Sequence, residues 1–317
     1  MNPIAISAAL ALAIPQAGSM QSGGEASATD VLSTATDSSS RLTVPVNLGE
    51  HGPFRFMIDT GSQNTVVADS LVSRLALVPN ARATLVGVAG KRSVDTVQIE
   101  EMVLGRRSFY GLTAPILDRA DLGAEGILGL DSLQGQRILI DFRKGYMAVN
   151  DARTLGGDRG FDIIVTARRR SGQLIMTDAK IDGIAVDVVI DTGSDTTLGN
   201  RALQRAMGRR GRAVEQTMLH SVTGQQIVAD VSYANQLEMQ GLAITRPMIA
   251  YSDSPTFAYL KLDKKPAIML GMREMRVFPR IAIDFSSRKV LFDMPDGAGP
   301  VYFGATIDTT APSRVKN

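Results

Sequence analysis

The chain has 317 residues, 44% of them hydrophobic and 21% charged, with a net charge of only +2. That length suits about two globular domains, and the near-neutral balance supplies no global field for nucleic acid or an anionic membrane. There is no cysteine, and His51 and His220 are the only histidines, which excludes disulfides, thiol nucleophiles, cysteine-ligated zinc and a three-histidine metal site. G-x-S-x-G, H-E-x-x-H, Walker A and G-x-G-x-x-G are absent as well. Carboxylates remain as the groups able to carry chemistry. The local basic clusters, Arg168-Arg169-Arg170 and Arg205 with Arg209, Arg210 and Arg212, lack interleaved aromatics and read as solvated turns or helix ends.

Residues 3–14 form an apolar run too short to span a bilayer, followed by small residues around Ala17 and Gly18. Residues 1–17 therefore read as a signal peptide, which places the chain in the periplasm or outside the cell. The n-region, Met1-Asn2, carries no lysine or arginine, and a start at Met20 would leave a cytoplasmic protein. Residues 18–41 are rich in Gly, Ser, Ala and Thr and read as a flexible leader. From there Leu42–Leu48 and Phe54–Ile58 predict two strands around a turn at 49–53. Ala68–Leu75 has helical spacing, with Leu71, Val72 and Leu75 on one face. Residues 84–94 predict a hairpin turning at Ala89-Gly90-Lys91, and strands follow near 97–104 and 112–117. Gly126–Leu133 is an apolar run into a short helix, and 137–142 with 146–150 form a closing hairpin.

The second half repeats this order. Ile184–Ile190 leads to Asp191, Asn200–Met207 is the short helix, and Thr217–Gln225 is a hairpin turning at Thr223-Gly224-Gln225. Ile268–Met272 is the apolar run, and 280–285 with 289–292 close the unit. Asp191 lies 132 positions after Asp59, and the same step carries Ala68 to Asn200, Leu71 to Leu203 and Leu75 to Met207. Asp191 to Gly271 spans 80 positions whereas Asp59 to Gly129 spans 70, so the extra residues belong to a loop at 251–265. The expected organisation is a lobe over 42–155, a second over 156–294, and an irregular tail over 295–317. Phe161–Thr166 is a strand without a counterpart, suited to a sheet shared by both lobes.

Each copy centres on one motif: Phe-Met-Ile-Asp-Thr-Gly-Ser ending at Ser62, and Val-Val-Ile-Asp-Thr-Gly-Ser ending at Ser194. The apolar run delivers Asp59 or Asp191 at a strand end where the chain must turn. Gly61 and Gly193 give the turn freedom of φ and let backbone N–H groups approach the carboxylate, while Thr60, Ser62, Thr192 and Ser194 supply hydroxyls to orient it. Brought together, two buried carboxylates cannot both ionise and would share one proton around a water. The competing reading is a duplicated β-fold with structural turns. Asp141 and Asp284, in Ile-Asp-Phe contexts, read as hairpin-turn charges, and His220 as a solvated turn residue.

On these motifs, each followed by an Ile-Leu-Gly or Met-Leu-Gly run, the chain resembles aspartic proteases of the pepsin and retropepsin-like superfamily over roughly residues 42–294. The resemblance implies a mainly β, bilobal acid-protease fold: two pseudo-symmetric barrel-like lobes, each with a short helix. It implies an endopeptidase with Asp59 and Asp191 as catalytic dyad, and Thr60 and Thr192 bonding across to the opposite lobe. Gly61, Ser62, Gly193 and Ser194 would frame the carboxylates, and Gly129 and Gly271 would pack beneath them. Gly87, Val88 and Gly90, with Ser221, Val222 and Gly224, would belong to flaps over the cleft. No metal or cofactor is implied; the partner is a polypeptide substrate, with no nucleic acid and no stable membrane insertion, and one chain carrying both lobes suits a monomer. Residues 84–94 lack the flap tyrosine of pepsins, and Tyr110 lies well past them, so the grip on substrate must differ. The alternative on the same fold is a catalytically silent peptide-binding or assembly module.

Overall fold

Alternation along His51–Ile58 stops where the chain enters the lobe centre. Phe54 and Phe56 are buried and Arg55 is exposed between them, but Met57 and Ile58 are then both buried. A strand covered on both faces sits in mid-sheet. Here it pairs antiparallel with Leu42–Leu48 and parallel with Gly126–Leu128. Burial of a side chain such as Phe56 or Ile58 stabilises by about 1.5–3 kcal/mol, so the run preceding Asp59 anchors it in the most tightly held part of the lobe.

The computed structural model describes residues 42–105, 107–150 and 155–295, with the backbone of short strands at Ala11–Leu12, Asp30–Ser33 and Ala35–Thr36. The first lobe orders its main strands Pro79–Gly87, Gly90–Leu104, Arg107–Leu117, Val66–Ala68, Gly126–Leu128, His51–Ile58 and Leu42–Leu48. An additional pairing of Gly90–Leu104 with Leu42–Leu48 brings the sheet back on itself. The second lobe runs Glu215–His220, Gln226–Tyr233, Met248–Ser252, Thr197–Asn200, Ala267–Leu270, Ile184–Ile190 and Gln173–Ile181, strand for strand in the same order. Parallel pairs also correspond: Met57 stands opposite Ile127, and Val188 opposite Ile268. The fold is the mainly β, two-lobed architecture expected from the repeat.

The two lobes are joined by a six-stranded sheet, ordered Ile163–Thr166, Lys289–Phe292, Arg280–Asp284, Arg137–Asp141, Tyr146–Asn150 and Asp30–Ser33. At its centre the closing hairpins meet antiparallel, Leu139 opposite Ala282. The strand without a counterpart takes one edge, as a shared sheet requires. Each lobe's helix follows its motif: Asp69–Arg74 buries Leu71 and Val72, and Arg201–Met207 buries Leu203 and Met207. The second is capped by Asn200, whose side-chain oxygen accepts from the Leu203 N–H.

Some expectations fall largely outside the described residues and others shift. Of the 1–17 and 18–41 segments only the three short strands lie among the described residues; Ala11–Leu12 pairs with Leu85 and Val86, and the other two extend sheet edges whose backbone groups would otherwise be unpaired. The 295–317 tail lies almost wholly outside the described residues. Arg168–Arg170 is an exposed strand paired with Gln173–Ile175, not a turn or helix end. The first hairpin turns at Val88-Ala89, one residue earlier than expected, because Gly87 and Gly90 form its closing pair. Among the described residues no helix is long and apolar enough to cross a membrane.

Candidate functional site

Asp59 and Asp191 come to the same place. Each ends a buried strand, neither is exposed at all (0%), and a Cβ on Gly193 would fall 2.2 Å from Asp59 Cγ. Only a glycine lets the second-lobe loop lie against the first-lobe carboxylate. Asp59 Oδ1 accepts from the N–H groups of Gly61 (2.8 Å) and Ser62 (3.0 Å), and Asp191 Oδ1 accepts from Gly193 N–H (3.0 Å). Between them the threonines interlock. Thr60 N–H donates to Thr192 Oγ1 (3.0 Å) and Thr192 N–H to Thr60 Oγ1 (3.2 Å). The Thr60 hydroxyl donates to Ile190 O and the Thr192 hydroxyl to Ile58 O, both at 2.9 Å. These reciprocal threonine bonds fix the two loops relative to one another.

Two details differ from the sequence reading. The hydroxyls of Ser62 and Ser194 do not orient the carboxylates; they donate to the carbonyls of Asn64 and Thr196, each at 2.8 Å. A short side chain closes its own turn most readily, and backbone N–H groups already reach the carboxylates. Neither Gly61 nor Gly193 has positive φ; at Gly193 the missing Cβ is what the site uses.

Beneath each loop lies the expected glycine. A Cβ on Gly129 would fall 2.3 Å from the Asn64 carbonyl carbon, and one on Gly271 2.6 Å from that of Thr196. A threonine at the repeat offset completes each support. Thr65 Oγ1 lies 2.7 Å from Asp131 Oδ1, and Thr197 donates to Glu274 Oε2 at 2.5 Å. Thr65 and Thr197 are visible in the repeat; their buried carboxyl partners, not aligned with each other, are not. Burial pushes the Glu274 carboxyl up to about 7, partly opposed by the Thr197 hydroxyl and Arg273. The folded protein thus holds this proton more tightly than the unfolded chain. Stability is therefore expected to fall as pH rises from 4.5 to about 7, by on the order of 3 kcal/mol at most. Urea unfolding across that window should show wild type losing stability relative to Glu274→Gln, whose difference from wild type should be level below it.

The two hairpins meet each other. Val88 is fully buried (0%) in a cluster whose other buried members, such as Ile175, Val189 and Leu219, all come from the second lobe. Val222 at the opposite tip is 1% exposed. Arg92 donates to Thr223 O (2.7 Å), and Cβ atoms on Gly87 and Gly90 would strike Ser221 and Gln225. Gly224 has φ +76° and sits against Asp121, so the tip needs glycine twice over. The candidate flap residues meet tip to tip. His220, read as solvated, is half-buried beside this contact.

Residues 44–132 and 177–273 each match the family model described as aspartyl protease, together more than half the chain. The chain belongs to the aspartyl protease family. Comparison with curated proteins finds no match. Each family match holds one Asp-Thr-Gly-Ser and one Ile-Leu-Gly or Met-Leu-Gly run, so the aspartyl protease unit occurs once per lobe, as the repeat implied. Side chains from both lobes also bond across to one another at the first loop of this aspartyl protease domain pair. Gln173 donates to Gly61 O (2.6 Å), Gln63 donates to Ser171 O (2.6 Å), and Tyr259 donates to Gln63 Oε1 (2.9 Å). Tyr259 ends the Pro255–Tyr259 helix, inside the stretch where the second copy is longer. That extra length is legible, but nothing in the sequence ties it to Gln63.

Proposed function

We propose that this aspartyl protease family member is an endopeptidase that hydrolyses peptide bonds with a water held between Asp59 and Asp191. The observation that carries the reading is the closeness of the Gly193 backbone to the Asp59 carboxyl group, with both aspartates buried and the threonines interlocked. Adjacent buried carboxyls favour a single shared proton. The ionised one takes a proton from water as its oxygen bonds to the scissile carbonyl carbon. The protonated one donates to the developing oxyanion. Collapse of the tetrahedral species breaks the C–N bond, and the leaving nitrogen takes up a proton. Both carboxyls are fully buried and the hairpins meet tip to tip, so the hairpins must lift for a peptide to enter. An extended substrate would then be gripped by strand-like hydrogen bonds.

The test is incubation of the chain with a mixed peptide library from acid to neutral pH, with and without pepstatin. Cleavage suppressed by pepstatin is expected. The full burial of both carboxyls favours one rival, a peptide-binding module without turnover; peptide binding with no cleavage at any pH would replace the endopeptidase reading with it.

A further inference from the structure

Gln173 opens the Gln173–Ile181 strand of the second lobe and is completely buried against the first lobe's Asp59–Ser62 loop. Its amide nitrogen donates to Gly61 O at 2.6 Å, which fixes the amide's orientation, because the flipped form would face one acceptor with another. Its oxygen, Oε1, is then left buried with no partner among the described residues. A buried acceptor without a donor is costly. Neighbouring polar groups are already engaged: Gln63 uses its nitrogen on Ser171 O and its oxygen on the Tyr259 hydroxyl. Within one amide's width of the Gly61 carbonyl, two residues beyond Asp59, the structure thus keeps an oriented hydrogen-bond acceptor in reserve.

We infer that Gln173 is a substrate-binding residue, its Oε1 accepting a backbone N–H of the bound peptide beside the dyad. The inference rests on the endopeptidase reading and adds a contact made by a side chain from the opposite lobe. An amide suits this task because it holds the Gly61 carbonyl with one atom and receives the peptide with the other. Methionine has similar length and can do neither well. Glutamate can do both only while protonated.

The experiment is a double-mutant cycle between enzyme and substrate. A cleavable peptide is made as a series, each member N-methylated at one backbone nitrogen, and kcat and KM are measured for wild type and Gln173→Met, with circular dichroism confirming that the variant is folded. At one position N-methylation is expected to raise KM about ten-fold in wild type, as loss of one hydrogen bond to a buried acceptor would, and to add almost nothing in Gln173→Met. Gln173→Glu is expected to approach wild-type KM at acid pH and to lose it as the carboxyl ionises. Equal N-methylation costs in both proteins at every position would overturn the inference and reduce Gln173 to a brace for Gly61, leaving the endopeptidase reading intact. Failure of wild type to cleave any peptide would overturn that reading and the inference with it.

Discussion

Asp59→Asn and Asp191→Asn are each expected to lower kcat/KM for peptide cleavage by about 10³-fold or more, within the span of general acid–base catalysis. An asparagine can neither take a proton from water nor deliver one to the oxyanion. Because the two carboxyls act as one unit, the double variant should be scarcely worse than either single. The fold should survive. In Asp59→Asn the amide oxygen can still accept from the Gly61 and Ser62 N–H groups that now serve the carboxylate, and the threonine interlock uses no carboxyl atom. Neutralising one of two adjacent buried acids should leave thermal stability unchanged or raised. Either variant retaining more than about a tenth of wild-type kcat/KM would sink the dyad mechanism. A variant that melts well below wild type would mean that the carboxylates hold the lobes together and not only the water.

Much of this site was legible because it is repeated. The step of 132 positions joins Asp59 to Asp191 and carries Thr60 to Thr192 and Thr65 to Thr197, and in the structure Thr60 and Thr192 make reciprocal bonds while Thr65 and Thr197 each hold a carboxyl group. Period-two patterning and turn residues placed most strands, since local sequence decides which face is buried. The unread part is relational. Ser62 and Ser194 have the right chemistry for a carboxylate, yet geometry gives them to their own turns. Gln173, Gln63 and Tyr259 meet only because the lobes fold against each other, and each by itself is an ordinary polar residue in a strand, loop or helix. Glu274 stands where the first lobe has Ser132, in equal steps from Gly271 and Gly129, so the offset that found the threonines hides their carboxyl partners. Asp141 and Asp284 were correctly placed as turn charges, accepting from Lys144 and Ser287 N–H groups. The same register conceals a second role for Asp284.

Arg137→Ala is expected to destabilise the protein by about 3–5 kcal/mol, the usual cost of leaving one member of a buried ion pair behind. Arg137 stands opposite Asp284 where the closing hairpins of the two lobes meet. Its side chain is 1% exposed, and its Nε and Nη2 reach Asp284 Oδ2 at 3.2 and 2.8 Å. Nη2 also binds Asp158 at 2.6 Å, and Nη1 donates to Gly157 O. Lys289 and Arg137 together hold the Asp158 carboxyl below its ordinary range. With alanine the Asp284 carboxylate stays buried, keeping only its Ser287 N–H donor of this set. The double variant Arg137→Ala/Asp284→Ala should therefore recover part of the loss, because no charge is stranded. The pseudo-symmetric arginine supplies the control. Arg280 stands opposite Asp141 but pairs with Asp293 at 2.7 Å, and its side chain is 27% exposed against 1% for Arg137, so Arg280→Ala should cost clearly less than Arg137→Ala. Equal losses for the two arginines in urea unfolding would contradict the burial argument. A large loss confined to Arg137 would locate the protein's chief electrostatic dependence at the seam between lobes, where separation also parts Asp59 from Asp191, so cleavage activity should disappear in the same urea range as the fold.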